Sequence, residues 1–306
     1  MNFYFDNVNF HSGTGPNTFA ARLAKELINL GHTITDPKNC DVHLAFIEQK
    51  TPKASHSRLI QRLDGIWFKP EEFVPLNRNM KITYLNAEHV IWQSNFDKQM
   101  TEKHWGKKMG SVIHNGIELL KIKIKNPGIR HLRQTYEKIF VCSASWHRQK
   151  RLKENIELFF SLKTKYPNSC LVIMGDSPDH IINYHDVFYT GLVSHDTCLE
   201  IYAAADWMIH LAWLDHCPNT VVEALSQNCP VICTDSGGTK EIVGKNGIII
   251  PETTQYQFEL TDYDAPYKLE LPLLELPKLE IDNSYLNINK VAQKYISVTS
   301  EGIKWA

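Results

Sequence analysis

The chain has little that would fix it outside a reducing, aqueous setting. Its seven cysteines are scattered, with no Cys-x-x-Cys spacing, which argues against a zinc site or a disulfide frame and reads as reduced core thiols. No apolar run is long enough to cross a bilayer and no signal peptide is read at the start, so a cytoplasmic protein is expected. An excess of one charge is missing too. The formal net charge is −1, with acids and bases interspersed, which argues against nucleic acid as the main partner. The 14 histidines are dispersed. His210, His216 and Cys217 form no recognised ligand set, and Asp262-Tyr263-Asp264 imitates an Asp-x-Asp metal motif in the wrong context, so no metal site and no cofactor are expected.

At 306 residues the chain exceeds what one core usually supports, and two domains are expected, with a linker near Glu118 to Arg133, where KIKIKNPGIR lacks a core pattern. The most informative stretch is Leu214 to Val243, LDHCPNTVVEALSQNCPVICTDSGGTKEIV. The run WMIHLAW before it fits a buried strand, Asn219 to Ser226 has helical spacing, and Pro230 to Thr234 is a second buried strand. Asp215 falls where the first strand releases the chain, and Asn219 is a competent N-cap for the helix. Loops at strand ends that face helix N-termini favour anions, because unpaired N–H groups and the helix dipole both point there. Glu223 lies one turn into that helix among Val221, Val222, Ala224 and Leu225. Unless it points outward as a surface charge, such a carboxylate needs hydrogen-bond partners. Gly237 and Gly238 then allow close backbone approach before a short helix near Thr239.

These residues resemble glycosyltransferase family 4, retaining nucleotide-sugar enzymes of the GT-B fold, whose signature places two acids eight positions apart before a Pro-Val-Ile strand. Here the acids are Asp215 and Glu223. The resemblance implies an α/β chain with two Rossmann-like domains facing across a cleft, the N-terminal one reduced. It further implies that Asp215 faces the donor sugar, that Glu223 holds the ribose hydroxyls, and that the backbone at Asn219 and Thr220 binds the donor phosphates. Pro218 stands where many members have Gly and has no N–H to offer. Ile139 to Asp176 extends the likeness as strand, basic loop, helix with Ile156, Phe159 and Phe160 on an apolar face, and strand. Lys150 matches the family lysine that grips the donor diphosphate, while Ser145 falls at the position of the family arginine. Arg148 or Arg151 could replace that arginine, since a guanidinium binds phosphate oxygens in two-pronged fashion; the assignment made is Arg148. The alternative for HRQKRLK is a solvated basic turn. Val187 to Leu211, with a turn at Gly191 and a helix opened by Ser194 or Asp196, would face the nucleotide base.

The N-terminal half would form the other wall. It reads as a strand, a glycine-rich loop at Gly13, Thr14 and Gly15, and a helix with Pro16 in its first turn, apolar positions at Phe19, Leu23, Leu27 and Leu30, and a stop at Gly31. The loop alone also suits dinucleotide-binding folds, but the acid expected after their second strand is not clear here. Asp64 follows a strand at a position resembling the one where family members carry a His or Asp toward the reaction centre; the alternative is an Asp-Gly turn. A strand over Val90 to Gln93, a helix capped by Ser94 with Asp97 three residues on, and an Asn115-Gly116 turn follow, with His114 structural. Gln257 to Ile281, interrupted by Pro266, Pro272 and Pro277, reads as an extended excursion or edge strand, and Asn287 to Thr299 as a helix.

The expected organisation is therefore an N-terminal acceptor-side domain over 1–130, a nucleotide-sugar domain over 131–285, and a final helix in 286–306 returning to the first. The expected activity is transfer of a sugar from a UDP- or GDP-linked donor to a hydroxyl of a glycan or similar acceptor, without a metal. A lipid-linked acceptor would bring peripheral membrane contact. Two other readings stand beside it: a sugar-nucleotide epimerase on the same fold, and a non-catalytic nucleotide-sugar or carbohydrate-binding protein.

Overall fold

Short runs rich in Val, Ile, Leu and Phe build two sheets in a computed structural model that describes residues 1–300. The first unit comprises, of the described residues, 1–118, 257–261 and 285–300. Its elements are β1 (Asn2–Asp6), α1 (Gly15–Asn29), β2 (Thr33–Ile34), β3 (Val42–Phe46), β4 (Arg58–Leu63), α2 (Pro70–Asn86), β5 (His89–Trp92), α3 (Asn95–Trp105) and β6 (Gly110–Val112). The strands run parallel in the order β2-β1-β3-β4-β5-β6. All five residues of β3 are buried, the pattern of a strand covered on both faces.

Phe19, Leu23 and Leu27 recur at helical spacing on α1 and are fully buried in one core with Phe3, Leu44 and Ile91. The last helix of the described chain, Ile288–Ser300, adds Val291, Ala292 and Tyr295 to that core. Residues 301–306 of the expected final segment lie outside the described residues. Ser94 caps α3, its hydroxyl accepting from the Asp97 N–H at 3.2 Å, and the His114 ring lies 2.6 Å from the Gln93 carbonyl.

The second unit comprises residues 119–256 and 262–284. It holds α4 (Pro127–Thr135), β7 (Lys138–Ser143), α5 (Leu152–Lys163), β8 (Ser169–Met174), β9 (Val187–Gly191), α6 (His195–Ala204), β10 (Trp207–His210), α7 (Asn219–Ser226), β11 (Val231–Thr234), α8 (Thr239–Val243) and β12 (Gly247–Ile250); the terminal helix Ile288–Ser300 is then α9. The six strands are again parallel, in the order β12-β11-β10-β7-β8-β9. Strands β8, β10 and β11 are buried throughout. Their core joins Phe140, Ile173, Ile209 and Ile232 to Ile156 and Phe159 of α5.

Several expectations change. The strand read on WMIHLAW, 207–213, is confined to Trp207–His210 because beyond it the backbone leaves the ladder, the Leu211 N–H going to the Asn155 side chain and the Trp213 N–H to the Gln149 carbonyl. The linker region contains a helix: Asn126 accepts from the Gly128 N–H at 2.9 Å and Pro127 sits in the first turn, so capping chemistry starts α4 where the apolar pattern is thin. Between Ile250 and Ser284 there is no regular element. That segment is an extended excursion in which Leu269 is buried and Leu271, Leu274, Leu276 and Leu279 pack on the second core.

Candidate active site

In the second unit the chain builds outward from β7 through β8 to β9, then returns to the other side of β7 for β10, β11 and β12. The loops leaving β7 and β10 therefore diverge at their carboxyl ends, opening the crevice in which open parallel sheets bind ligands. Lys150 lies on the first of these loops, at the end of a short 3-10 turn over Arg148–Lys150. Asp215 lies on the second. Their side chains meet, with Lys150 Nζ 2.6 Å from Asp215 Oδ2 and both mostly buried. His210, the last residue of β10 and 5% exposed, places Nε2 3.4 Å from the same oxygen. Burial would raise the Asp215 carboxyl; the Lys150 ammonium and His210 overcome it and hold the group well below the usual carboxylate range.

The loops are fastened by backbone bonds rather than by chance contact. The Trp213 N–H donates to the Gln149 carbonyl at 2.8 Å and the Gly238 N–H to the Asp215 carbonyl at 2.7 Å. Gly237 has φ +67°, and a Cβ there would come within 2.4 Å of the Asp215 carbonyl oxygen. Any other residue at 237 would force the Asp215 loop away. Gly175, at φ +112°, gives the same close approach to the loop after β7, with a Cβ only 1.7 Å from the Ala144 carbonyl oxygen.

Arg151 is buried at 1% exposure. Its guanidinium donates to both oxygens of buried Glu252 at 2.7 and 3.1 Å and to the Tyr267 carbonyl at 2.7 Å. Arg151 is thus committed inside the protein, which removes it as the substitute phosphate ligand. Its backbone is left-handed, φ 53°, a conformation that costs a non-glycine residue about 1 kcal/mol and is held here by the ion pair. Asn155 completes the stitching, donating to the Lys150 and Arg151 carbonyls at 3.0 and 2.7 Å and accepting from the Leu211 N–H at 3.2 Å. Arg148 is exposed and lines a separate hollow of about 400 Å³ with Lys153, Asp179, His180 and Asp264 among others; neither Lys150 nor Asp215 contributes to that lining. Ser145, at the position of the family arginine, donates to Asp176 at 2.8 Å.

Glu223 faces inward from α7, 8% exposed, with Oε1 3.3 Å from Nε2 of His195 at the start of α6. Its charge adds to the burial that pushes the Cys198 thiol up to about 11. Ser194 caps α6, accepting from the Thr197 N–H at 3.2 Å, and Gly191 closes β9 with its carbonyl bonded to the Gly175 N–H at 3.0 Å. One local expectation fails: Asn219 is not the cap of α7. Pro218 occupies that position without a side-chain bond, and Asn219 and Thr220 are the first residues of the helix. Pro218 already has the extended backbone a cap requires (φ −66°, ψ 120°), so helical geometry begins one residue earlier than a side-chain cap at Asn219 would set it.

The first unit holds the remaining candidates. Gly13 and Thr14 lie in the exposed loop after β1, Thr14 is the N-cap of α1, and the exposed Gly15 is that helix's first residue. Asp64 follows β4 and pairs with the buried Arg62 guanidinium, which also donates to Asn115 at 2.6 Å and stacks 4.5 Å over Phe19. Asp6 and His43, not singled out from the sequence, form a buried pair at 3.0 Å, where Asp6 also accepts from the Lys50 and Thr51 N–H groups. The residues missed in the second unit are His195, Asn155, Glu252 and His210 as a partner of Asp215. Only His210 left a trace in sequence, as a polar residue ending an apolar strand five positions before an acid. Among the described residues no group of three or more His, Cys, Asp or Glu is arranged to hold a metal.

Residues 129–260 match the family described as Glycosyl transferases group 1. The uncharacterized glycosyltransferase MJ1059 of Methanocaldococcus jannaschii is 28% identical over 182 residues, 53% of this chain and 44% of that protein. The putative teichuronic acid biosynthesis glycosyltransferase TuaC of Bacillus subtilis is 30% identical over 118 residues, 37% of this chain and 30% of that protein. These matches span less than half the length of either relative. Among solved structures, Anabaena HepE in complex with UDP superposes with a TM-score of 0.66 over 98% of this chain and 100% of that one, at 17% identity, a likeness of fold. The two six-stranded parallel α/β sheets match the GT-B architecture of that structure.

Proposed function

We propose that this chain transfers a sugar from a nucleoside diphosphate sugar to a hydroxyl of a glycan or similar acceptor, with retention at the anomeric carbon and without a metal. The observation that carries the reading is the meeting of Lys150 and Asp215 on the two loops that diverge at the switch point of the second sheet. A lysine aimed there can take a diphosphate, and the first N–H groups of α7 at Asn219 and Thr220 add the positive end of a helix dipole. Asp215 is then the carboxylate beside the donor sugar, Glu223 takes the ribose hydroxyls, and the Gly191 turn borders the base. Arg148 would reach the diphosphate only by leaving its own hollow. Asp64, held by Arg62, is the candidate for sugar or acceptor contact, and Gly13, Thr14 and Gly15 are candidates for donor binding. HepE was solved with UDP and with UDP-glucose, so UDP-sugars are the first donors to try, with GDP-sugars second. The free cysteines favour a cytoplasmic enzyme, and a lipid-linked acceptor would bring it to a membrane.

In this chemistry the protein orients donor and acceptor and stabilises the departing diphosphate. The Lys150 ammonium donates to the Asp215 carboxylate at 2.6 Å; a diphosphate would compete for it. Thermal-shift titration with UDP, GDP and their sugars, followed by product analysis that reads the anomeric configuration, tests the reading. Lys150→Ala should lower turnover by about 100-fold or more, the scale of removing one preorganised charge-stabilising group. Unchanged turnover, or an inverted product, refutes it. One observation favours the non-catalytic alternative: Ser145, bonded to Asp176, leaves the site without the family arginine. Donor binding with neither transfer nor hydrolysis would establish that alternative.

A further inference from the structure

Helices α6 and α7 pack together in the second unit, and their contact is polar at one point. On α6, His195, Cys198 and Tyr202 are spaced by three and four residues and so fall along one side of the helix. Glu223 of α7 meets that side. His195 Nε2 lies 3.3 Å from Glu223 Oε1, and the charge of Glu223 adds to burial in pushing up both the Cys198 thiol and the Tyr202 phenol. The carboxylate is thus seated against the first turns of α6, with the imidazole at its more exposed end.

The two partners are held differently. Glu223 is buried, and its flexible stem would spread over several rotamers if nothing fixed the head. A carboxylate at that depth also needs donors. The His195 side chain is 47% exposed and belongs to the first residue of α6, directly after the Ser194 cap. That cap sets the backbone, its hydroxyl accepting from the Thr197 N–H, so the ring is offered to Glu223 from a fixed main chain. A carboxylate has about four acceptor sites on its two oxygens, and a bond to one oxygen from α6 fixes where the head points without exhausting it.

We propose that His195 is the positioning residue for the donor's ribose: its imidazole holds Glu223 in the orientation that presents the carboxylate to a vicinal diol, and so makes the site selective for ribonucleotides over their deoxy counterparts. The inference rests on the donor reading above, in which Glu223 takes the ribose hydroxyls, and it adds the group that sets the carboxylate's aim.

The experiment is calorimetric titration of the full chain with UDP and with GDP, each beside its 2′,3′-dideoxy form, for the parent, Glu223→Ala, His195→Ala, His195→Gln and the double alanine variant. Base and phosphates are the same within each pair, so the ratio of affinities reads the ribose hydroxyls alone. The parent should favour the ribonucleotide by about 10- to 100-fold, the weight of hydrogen bonds to a charged group, and His195→Ala should cut that preference by about tenfold. Glu223→Ala should erase it. His195→Gln brings an amide N–H toward the same oxygen and should restore most of the preference. The double variant should bind UDP as Glu223→Ala does, because a residue acting through the carboxylate then has nothing left to position. A packing role alone would lower the melting temperature of His195→Ala and leave the ratio untouched, which overturns the proposal. A double variant weaker than Glu223→Ala, which makes His195 a direct donor contact, overturns it as well, and so does a glutamine variant that restores nothing. The donor reading fails in a different pattern: a parent that binds neither nucleotide or shows no ribose preference, or a Glu223→Ala variant that keeps it, removes Glu223 from the ribose and takes this inference with it. Loss of the preference in Glu223→Ala but not in His195→Ala sinks the inference alone.

Discussion

Replacing Lys150 by Met removes the main counter-ion of Asp215 while keeping the bulk of the stem. The carboxylate, 13% exposed as a side chain, would keep only His210 at 3.4 Å. Breaking a buried pair in this way costs about 3 kcal/mol. For a unit of this size each kcal/mol is worth roughly 2–4 °C, so the melting temperature should fall by about 6–12 °C at pH 7. The pH dependence gives the sharper test. Asp215 in the parent is held below the usual carboxylate range, so its stabilisation is full above the unfolded value of roughly 3.9 and is lost as pH falls through the folded value. In the variant, burial is no longer opposed by Lys150 and carries the carboxyl above its ordinary value. The gap between parent and variant should therefore be widest at neutral pH and narrow toward pH ~4, as the variant's carboxyl takes up a proton. Asp215→Asn and the double variant close a thermodynamic cycle in which a coupling of about 2–3 kcal/mol is expected. Melting curves from pH 4 to 8 supply every term. A gap that does not change with pH, or a cycle with no coupling, would refute the claim that the lysine neutralises this carboxylate.

Three further substitutions test separate parts of the site. Glu223→Ala should weaken UDP-sugar affinity by about 10- to 100-fold, the weight of a hydrogen bond to a charged group; unchanged calorimetric titration would remove Glu223 from the donor site. Gly237→Ala places a Cβ against the Asp215 carbonyl oxygen at positive φ, so a loss of about 1–3 kcal/mol is expected together with lower turnover, and an unchanged melting temperature counts against the packing described. Arg151→Leu strands Glu252 in the interior and should cost about 3–5 kcal/mol, with Glu252→Leu in the same chain restoring most of it; if the second change makes matters worse, the pair does more than neutralise charge.

Much of the architecture is legible in residue order because buried parallel strands leave continuous apolar runs and helices leave caps. Ser94, Ser194 and the Phe19-Leu23-Leu27 spacing each predict what their segments form, and α7 spans the residues its spacing assigns. Helix α2 was not read because the sequence offers contrary signals: Pro75 lies inside the helix, and apolar residues fall on both sides, which blurs the period. The segment over 127–135 hid its helix for the opposite reason, since its start rests on Asn126 and Pro127 while Ile129 is its one buried residue. Within the candidate site, sequence spacing singles out Lys150, Asp215 and Glu223 as chemistry-bearing. It cannot separate Arg148 from Arg151, two cations three positions apart whose difference lies in Glu252, about a hundred residues downstream.

That long-range partner changes how the site is held together. Lys150 and Asp215 sit on different loops, and a lysine side chain alone would sample many rotamers before meeting a carboxylate. The turn that carries Lys150 is fixed first. Gln149 binds the Trp213 backbone, Asn155 grips the Lys150 and Arg151 carbonyls and the Leu211 N–H, and Arg151 ties the turn to Glu252 and Tyr267. Apart from the two local bonds of Asn155 to the Lys150 and Arg151 carbonyls, these contacts join the loop after β7 to the segment leaving β10 or to the chain beyond β12. The left-handed backbone at Arg151 persists because so many bonds over-determine it. The cation of the crevice is thereby mounted on the same rigid frame as its carboxylate, and a bound diphosphate would have only the Lys150 side chain to reorient, with the backbone already in place.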